Sequence, residues 1–265
     1  MSPLPPFPPP PAGPGFGSEP DSDLTSPVTT FGDLLRRATP RVFVTPALVA
    51  LNVAVFGLMV AKGVSPVSPT SGDLFAWGAD YGPAVVAGGE WWRLLTSAFV
   101  HIGVIHLALN MYVLWGVGHL AERVYGNGAF LFLYLVAAVG GSLISTAWSP
   151  LVVSAGASGA VFGVYGAILA FTAFSRGGLP EPVTAGLQKG ALSFIAYNVL
   201  FGLSVPGISN SAHLGGLGAG FLAGCLLRRD LTALDDPVAT GRIFRGGVCL
   251  AVLAGLAWAV DVRVS

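Results

Sequence analysis

Residues 190–227 contain no Asp, Glu, Lys or Arg, and this uncharged run constrains the fold more than any other feature of the chain. A helix needs about 20 apolar residues to cross the hydrocarbon core of a bilayer, so the run is too long for one span. The sequence "VPGISN" at 205–210 supplies a break, because Pro and Gly interrupt helices. The run therefore predicts two consecutive membrane spans.

Further apolar runs extend this pattern along the chain. Charged residues make up 10% of the sequence, well below the roughly 25% typical of soluble domains. We expect an all-α membrane protein with seven spans, at 42–61, 104–121, 128–148, 157–175, 188–204, 210–227 and 244–260. The Pro/Gly-rich tail at 1–40 is expected to be disordered.

The basic residues predict the orientation in the membrane. If the N-terminus is cytoplasmic, Lys62, Arg93 and Arg263 fall outside, and the cytoplasmic side receives Arg36, Arg37, Arg41, Arg123, Arg176, Lys189, Arg228, Arg229, Arg242 and Arg245. Arg is also well above Lys, and Gly, Ala and Val are abundant, which is typical of a bacterium with a GC-rich genome. We expect the bacterial cytoplasmic membrane. The net charge of zero gives no indication of nucleic-acid binding.

Polar residues converge at one depth of the predicted bundle. His106 and Asn110 are four residues apart, hence on one face of the second span. Ser158 begins the fourth span, and His213 lies about one turn into the sixth. All three spans start on the outer side, so the four side chains are expected slightly below the outer surface. Polar groups at such a depth usually have a function or a partner.

Glycines explain how two of these residues could meet. The stretch "SAGASGAVFG" at 154–163 places Ser158 between Gly156 and Gly159, and the sixth span has Gly216 and Gly220 on the same face as His213. Small residues at four-residue spacing let helix backbones approach closely. Packing the two glycine faces would bring Ser158 against His213.

This arrangement has a chemical consequence. A serine needs a base within hydrogen-bond reach to become a nucleophile, and neutral histidine is the usual base. The spans with Ser158 and His213 contain no carboxylate, so we expect a dyad rather than a triad. The Ser158 N–H and the side chains of His106 and Asn110 are candidate donors to an oxyanion. We expect no cofactor and no metal ion.

These segments resemble the rhomboid intramembrane serine proteases. The resemblance rests on "GASG" with Ser158, "AHLGG" with His213, the spaced His101, His106 and Asn110, "WWRLLTSAFVH" at 91–101 and "LAERVYGNG" at 120–128. It covers about residues 42–228. It implies a bundle of six core helices at 41–228, followed at 229–265 by a cytoplasmic loop and one C-terminal transmembrane helix.

The resemblance implies a role for each matching residue. Ser158 would be the nucleophile and His213 the general base and acid, while His106, Asn110 and the Ser158 N–H would form the oxyanion hole. Supporting positions would be Gly156, Gly159, Phe162, Gly216, Gly220, Trp92, Arg93 and His101, with Arg93 and Glu90 fixing the loop at 63–103. The fifth span would be the mobile side through which a single-span membrane protein enters. Some members carry Tyr where this chain has Phe162.

Two other interpretations stay open. Ser158 alone would more often be a packing residue in a small-residue helix. The chain could also be a non-catalytic rhomboid-like protein that binds membrane clients, although such members typically lack the serine or the histidine. A transporter would predict ionisable residues near the midplane and inverted repeats, which the sequence does not have.

Overall fold

The architecture is a bundle of long helices with a folded loop between the first two of them. The computed structural model describes residues 30–174, 179–205, 207–229, 231 and 239–264, with side chains from Phe244 onward in the last segment. Its α-helices are α1 (Phe31–Ala38), α2 (Val44–Ala61), α3 (Ser71–Ala76), α4 (Gly82–Val86), α5 (Arg93–Thr96), α6 (Val104–Tyr125), α7 (Asn127–Trp148), α8 (Ser158–Phe174), α9 (Glu181–Ser204), α10 (Asn210–Leu227) and α11 (Ala239–Val264). Ser97–Phe99 form a 3₁₀ helix.

The long helices α2 and α6–α11 coincide with the predicted spans, and the chain is an all-α membrane protein. By length and composition, α2, α6, α7 and the Phe244–Val264 part of α11 are able to cross a membrane, and α8 is apolar but only 17 residues long. The boundaries that differ most from the prediction are the end of α6, which continues to Tyr125, the start of α9 at Glu181, and both ends of α11. Helix α11 packs against α7, α10 and α4.

Helix α8 lies in the centre of the bundle and packs most extensively against α10. Glycines make this approach possible. A Cβ atom on Gly216 would overlap the Gly159 carbonyl group, and one on Gly220 would overlap that of Gly163. The two backbones therefore touch directly, as the spacing of the glycines predicts. Helices α7, α6 and α9 surround the rest of α8.

A buried carboxylate joins α6 to the start of α2. Glu122 has no exposed surface. Its Oε1 accepts hydrogen bonds from the backbone N–H groups of Phe43 and Val44 at 2.9 and 2.8 Å, and its Oε2 accepts from the N–H and hydroxyl of Thr45 at 2.7 Å each. The first N–H groups of a helix have no partner within the helix. Glu122 supplies their partners and places its negative charge at the positive end of α2.

The C-terminal end of α6 is held in a complementary way by a cation. The guanidinium of Arg229, just after α10, donates to the carbonyl oxygens of Val124 and Ala38 at 2.7 and 2.9 Å. It also bonds the Arg123 carbonyl oxygen and the Thr39 hydroxyl. One side chain thereby connects α1, α6 and α10 and satisfies carbonyl groups that the helix end leaves unpaired.

The loop between α2 and α6 is more ordered than the sequence indicates. The analysis of the sequence identified no helix in it, but α3, α4, α5 and the 3₁₀ helix all lie there. Helix α3 begins with a capping box in which Thr70 and Asp73 bond each other reciprocally. Helices of four to six residues are too short to show an apolar period.

The predicted disordered tail requires a correction. Residues 1–29 lie outside the described residues, but Phe31–Ala38 form α1, whose Leu35 is buried. Apolar Phe31, Leu34 and Leu35 recur at helical spacing, and α1 packs on α6. The helix therefore forms because it has a face to bury.

Replacing Glu122 tests the cap on α2. Glu122→Ala leaves three N–H groups unpaired, two of them on the buried residues Val44 and Thr45, so we expect the unfolding free energy in detergent to fall by about 3 kcal/mol or more. Glu122→Gln retains one acceptor oxygen and should lose roughly half as much. Thermal unfolding measures both variants. Glu181→Gln, which changes an exposed acid in the first turn of α9, is the control. Equal stability of Glu122→Ala and wild type would contradict the role of Glu122.

Candidate active site

Ser158 is the first residue of α8 and is half-buried. The residues before it are fixed by neighbouring backbone. Gly156 donates its N–H to the Ser97 carbonyl oxygen at 2.9 Å, with a φ of +128° that favours glycine. The N–H of Ser158 lies in the first turn of α8, where backbone N–H groups have no partner within the helix. The positive end of the helix dipole there favours negative charge.

His213 is positioned one turn into α10. The Ser209 hydroxyl caps that helix by accepting from the Ala212 N–H at 3.2 Å. The Nε2 atom of His213 lies 3.0 Å from the Ser158 Oγ atom, within hydrogen-bond distance. The imidazole is 6% exposed, and among the described residues its Nδ1 atom has no hydrogen-bond partner. The geometry therefore matches a Ser–His pair without a third, orienting acid.

An aromatic ring orients the imidazole instead. The Phe162 ring stacks on the His213 ring with a centroid distance of 4.2 Å and an interplanar angle of 8°. Phe162 in turn contacts Phe194 of α9 at 5.4 Å, and Phe194 stacks on Tyr165 at 4.0 Å. Phe194 is not among the residues predicted from the sequence, because one aromatic residue in an apolar span has no distinguishing signal.

His106 and Asn110 lie beside the segment that leads to Ser158. A Cβ atom at Gly156 would be 2.5 Å from Cε1 of His106, so the imidazole occupies the space that this glycine leaves. His106 Nδ1 accepts from the Ile102 N–H at 3.4 Å, which leaves Nε2 to carry the proton and act as a donor. Asn110 donates one N–H to the His106 carbonyl oxygen at 2.8 Å. No hydrogen bond within the described part of the chain joins either side chain to Ser158.

His101 is fully buried and contacts the residue before Ser158. Its Nε2 accepts from the Ala157 N–H at 3.5 Å, and its Nδ1 lies 3.4 Å from the Phe99 carbonyl oxygen. Burial, with a smaller contribution from His106, lowers the pKa of His101 to about 3. The ring is therefore neutral at physiological pH, as an acceptor from Ala157 must be.

Arg93 organises the loop between α2 and α6. Its side chain is buried, pairs with Glu90, and donates to the carbonyl oxygens of Phe75 and Ala79 at 2.7 and 3.1 Å. The guanidinium also stacks on the Phe75 ring at 3.8 Å and on the Trp92 ring at 4.5 Å. Trp92 itself is half exposed. Arg93 and Glu90, which the resemblance implies fix this loop, thus pair with each other.

The same loop also holds a buried acid that is not among the residues predicted from the sequence. Asp80 is 2% exposed and accepts from the Thr146 hydroxyl of α7 at 2.9 Å. Its backbone pairs with that of Ser154, four residues before Ser158, through two hydrogen bonds of 2.9 Å each. A single acid in a loop is more often exposed to solvent, so no pattern in the sequence indicates the burial of Asp80.

Comparison with known proteins identifies relatives of the chain. A family model described as the Rhomboid domain matches residues 88–230. Similar proteins include the Rhomboid protease GluP of Bacillus subtilis, 40% identical over 79% of this chain and 39% of the relative. RHOMBOID-like protein 4 of Arabidopsis thaliana is 34% identical, covering 69% of this chain and 52% of the relative. The Rhomboid protease AarA of Providencia stuartii is 30% identical, covering 65% of this chain and 68% of the relative. The chain thus spans about half or less of the length of the first two.

Substitutions on α10 test whether the helix contact produces the Ser158–His213 geometry. In Gly216→Ala the new methyl group overlaps the Gly159 carbonyl, so we expect α10 to move outward, with about 1–3 kcal/mol lost in unfolding free energy. Gly218→Ala, two residues away with open space around its Cα, should be neutral or slightly stabilising. Thermal unfolding and a structure of each variant provide the measurement. An unchanged 3.0 Å distance and full stability in Gly216→Ala would contradict this account.

Proposed function

Because the chain belongs to the rhomboid family, we propose that it is an intramembrane serine endopeptidase with Ser158 as nucleophile and His213 as general base and acid. The observation that carries this proposal is the 3.0 Å separation of Ser158 Oγ and His213 Nε2 between two adjoining helix starts. A packing serine would not need a histidine as its direct partner. Since Nδ1 of His213 has no acceptor among the described residues, the dyad depends on the Phe162 stack for its orientation.

The reaction follows from this geometry. Ser158 Oγ attacks the carbonyl carbon of the scissile peptide, and its proton passes to His213 Nε2. The C–N bond then breaks as the imidazolium gives that proton to the leaving nitrogen, which leaves an ester on Ser158. Water attacks the ester and gives a proton to His213. The ester bond then breaks, and the proton returns to Ser158 Oγ.

The oxyanion formed in each addition step needs donors that are already in position. We assign the Ser158 N–H to this role, with the Nε2–H of His106 and the second amide hydrogen of Asn110. His106 is the better supported of the two side chains, because it lies against Gly156 and its Nδ1 is occupied by the Ile102 N–H. Asn110 holds the His106 backbone while retaining one N–H for the oxyanion.

Helix α9 is the proposed side of substrate entry. Among its residues only Ala191 is fully buried, and its packing on α8 centres on Phe194 against Phe162 and Tyr165. A helix with so small a buried face can separate from the bundle at low cost. The proposed substrate is a single-span membrane protein. Its scissile segment must leave the helical form to expose a carbonyl to Ser158, which small or helix-breaking residues facilitate.

The finer topology is also a proposal. We place the N-terminus in the cytoplasm of a bacterium, with the loop between α2 and α6 on the outer side, because the basic residues are concentrated at the opposite ends of the helices. Residues 41–228 would form the catalytic core, and 229–265 a loop with an additional span.

Labelling with a fluorophosphonate reagent in detergent tests the proposal. We expect Ser158→Ala and His213→Ala to lower labelling by about a thousandfold or more, because nucleophile and base act as a unit. Ser204→Ala and His119→Ala, at exposed or half-exposed positions away from the dyad, are the controls and should label like wild type.

Cleavage is tested by reconstituting wild type and Ser158→Ala in vesicles with a tagged single-span protein. Ser158-dependent fragments would support the endopeptidase. Unreduced labelling of Ser158→Ala would overturn the nucleophile assignment. Retention of clients by an unlabelled wild type would instead favour a non-catalytic binding protein.

A further inference from the structure

The side chain of Asp80 is a buried acid that the proposed reaction does not use. It is 2% exposed, and its partner, the Thr146 hydroxyl in the last turn of α7, is 1% exposed. That hydroxyl lies 2.9 and 3.1 Å from the two carboxylate oxygens. Burying an acid whose carboxylate has one hydroxyl as its hydrogen-bond partner among the described residues costs stability.

The location of Asp80 indicates a purpose for this acid. Residues 149–157, which we call the nucleophile segment, connect the end of α7 to Ser158. The Asp80 backbone pairs with Ser154 in this segment, and Gly82 donates to the Pro150 carbonyl oxygen at 2.9 Å. Asp80 therefore holds the nucleophile segment by its backbone and the preceding helix by its carboxylate.

We propose that Asp80 is a positioning residue for the proposed reaction, whose ionised carboxylate, held by Thr146, fixes the nucleophile segment and thereby the Ser158 N–H in the oxyanion hole. The inference rests on the proposed function. A hydrogen bond to an ionised acceptor is stronger than one between neutral groups. The ionised form of Asp80 therefore holds Thr146 more firmly than the protonated form does.

The surroundings of Asp80 determine when it is ionised. Among the described residues, Arg93 is the charged group that interacts electrostatically with the Asp80 carboxylate. Its guanidinium donates to the carbonyl oxygen of the neighbouring Ala79. The Thr146 hydroxyl of α7 and the Ser154 backbone of the nucleophile segment also contact Asp80, and neither of these groups titrates. Burial raises the pKa of Asp80 to about 7, against the smaller lowering effects of Thr146 and Arg93. The acid thus changes charge near neutral pH.

This shift has a defined sign for stability. The unfolded chain loses the Asp80 proton near pH 4, but the folded chain keeps it to about pH 7. Stability therefore falls as the pH rises between these values, by about a thousandfold in the folding equilibrium. Asp80→Asn removes this dependence and should unfold at a higher temperature than wild type above pH 7. A residue that lowers stability at neutral pH is typical of a functional position.

The rate of Ser158 labelling by a fluorophosphonate between pH 5.5 and 8.5 tests the proposal. The ratio of the wild-type rate to the Asp80→Asn rate cancels the titration of His213. We expect it to rise from about 1 at low pH to about 5 at high pH, with its midpoint near 7. With a peptide substrate at high pH, the kcat of Asp80→Asn should be lower than that of wild type by the same factor, while KM is unchanged.

Partner substitutions strengthen the test. Thr146→Val should lower the rate above pH 7 by about fivefold, Thr146→Ser should restore it, and adding Asp80→Asn to Thr146→Val should cause no further loss. Asp73→Asn makes the same chemical change at an exposed acid of the same loop, and its ratio to wild type should be flat. If Asp80→Asn does not fold, the Thr146 pair provides the test.

The possible failures are distinguishable. A ratio that is flat with pH, or independent losses in the double variant, would overturn the role of Asp80 while Ser158-dependent labelling remained. Absence of labelling that depends on Ser158 would overturn the proposed function itself.

Discussion

The close approach of α8 and α10 is the constraint on which the rest of the structure depends. Gly216 and Gly220 of α10 lie directly against the backbone of Gly159 and Gly163 of α8. Without side chains between them, the two helices bring their first turns together, and Ser158 comes within 3.0 Å of His213. Helix packing in a membrane gains little from the hydrophobic effect, so small residues and direct backbone contact supply the attraction.

Polar groups hold the periphery of this contact in place, because unpaired backbone groups are costly in an apolar environment. Glu122 caps α2, Arg229 satisfies the end of α6, and Arg93 anchors the loop that bonds the segment before Ser158. Each of them bonds several backbone groups from other elements. A small number of buried or half-buried charges therefore fixes the positions of the helix ends, and through the loop the position of Ser158.

Much of this could be predicted from the sequence. Uncharged apolar runs located the long helices, and the i, i+4 spacing of His106 and Asn110 placed them on one face. The glycine stripes indicated the helix pair that meets. These features are local periodicities, which a sequence displays directly. The end of α6 was predicted too early because Glu122 is charged, and only the folded structure reveals that its charge caps α2.

The remaining features depend on contacts between distant residues. The short helices of the loop follow from Arg93 and from pairing with the nucleophile segment rather than from any period. Asp80 meets Thr146 and Ser154 only after folding, and Phe194 reaches Phe162 only when α9 docks on α8. The sequence thus predicted the residues of the candidate site, but it did not predict the groups that orient them.

An experimental structure of the protein after reaction with a fluorophosphonate would test the central claim most directly. The account predicts a phosphorus–oxygen bond to Ser158, with His213 Nε2 within hydrogen-bond reach. It also predicts that the phosphoryl oxygen faces the Ser158 N–H and the His106 imidazole. An adduct on another residue, or an unmodified Ser158 separated from His213 by intervening side chains, would contradict it.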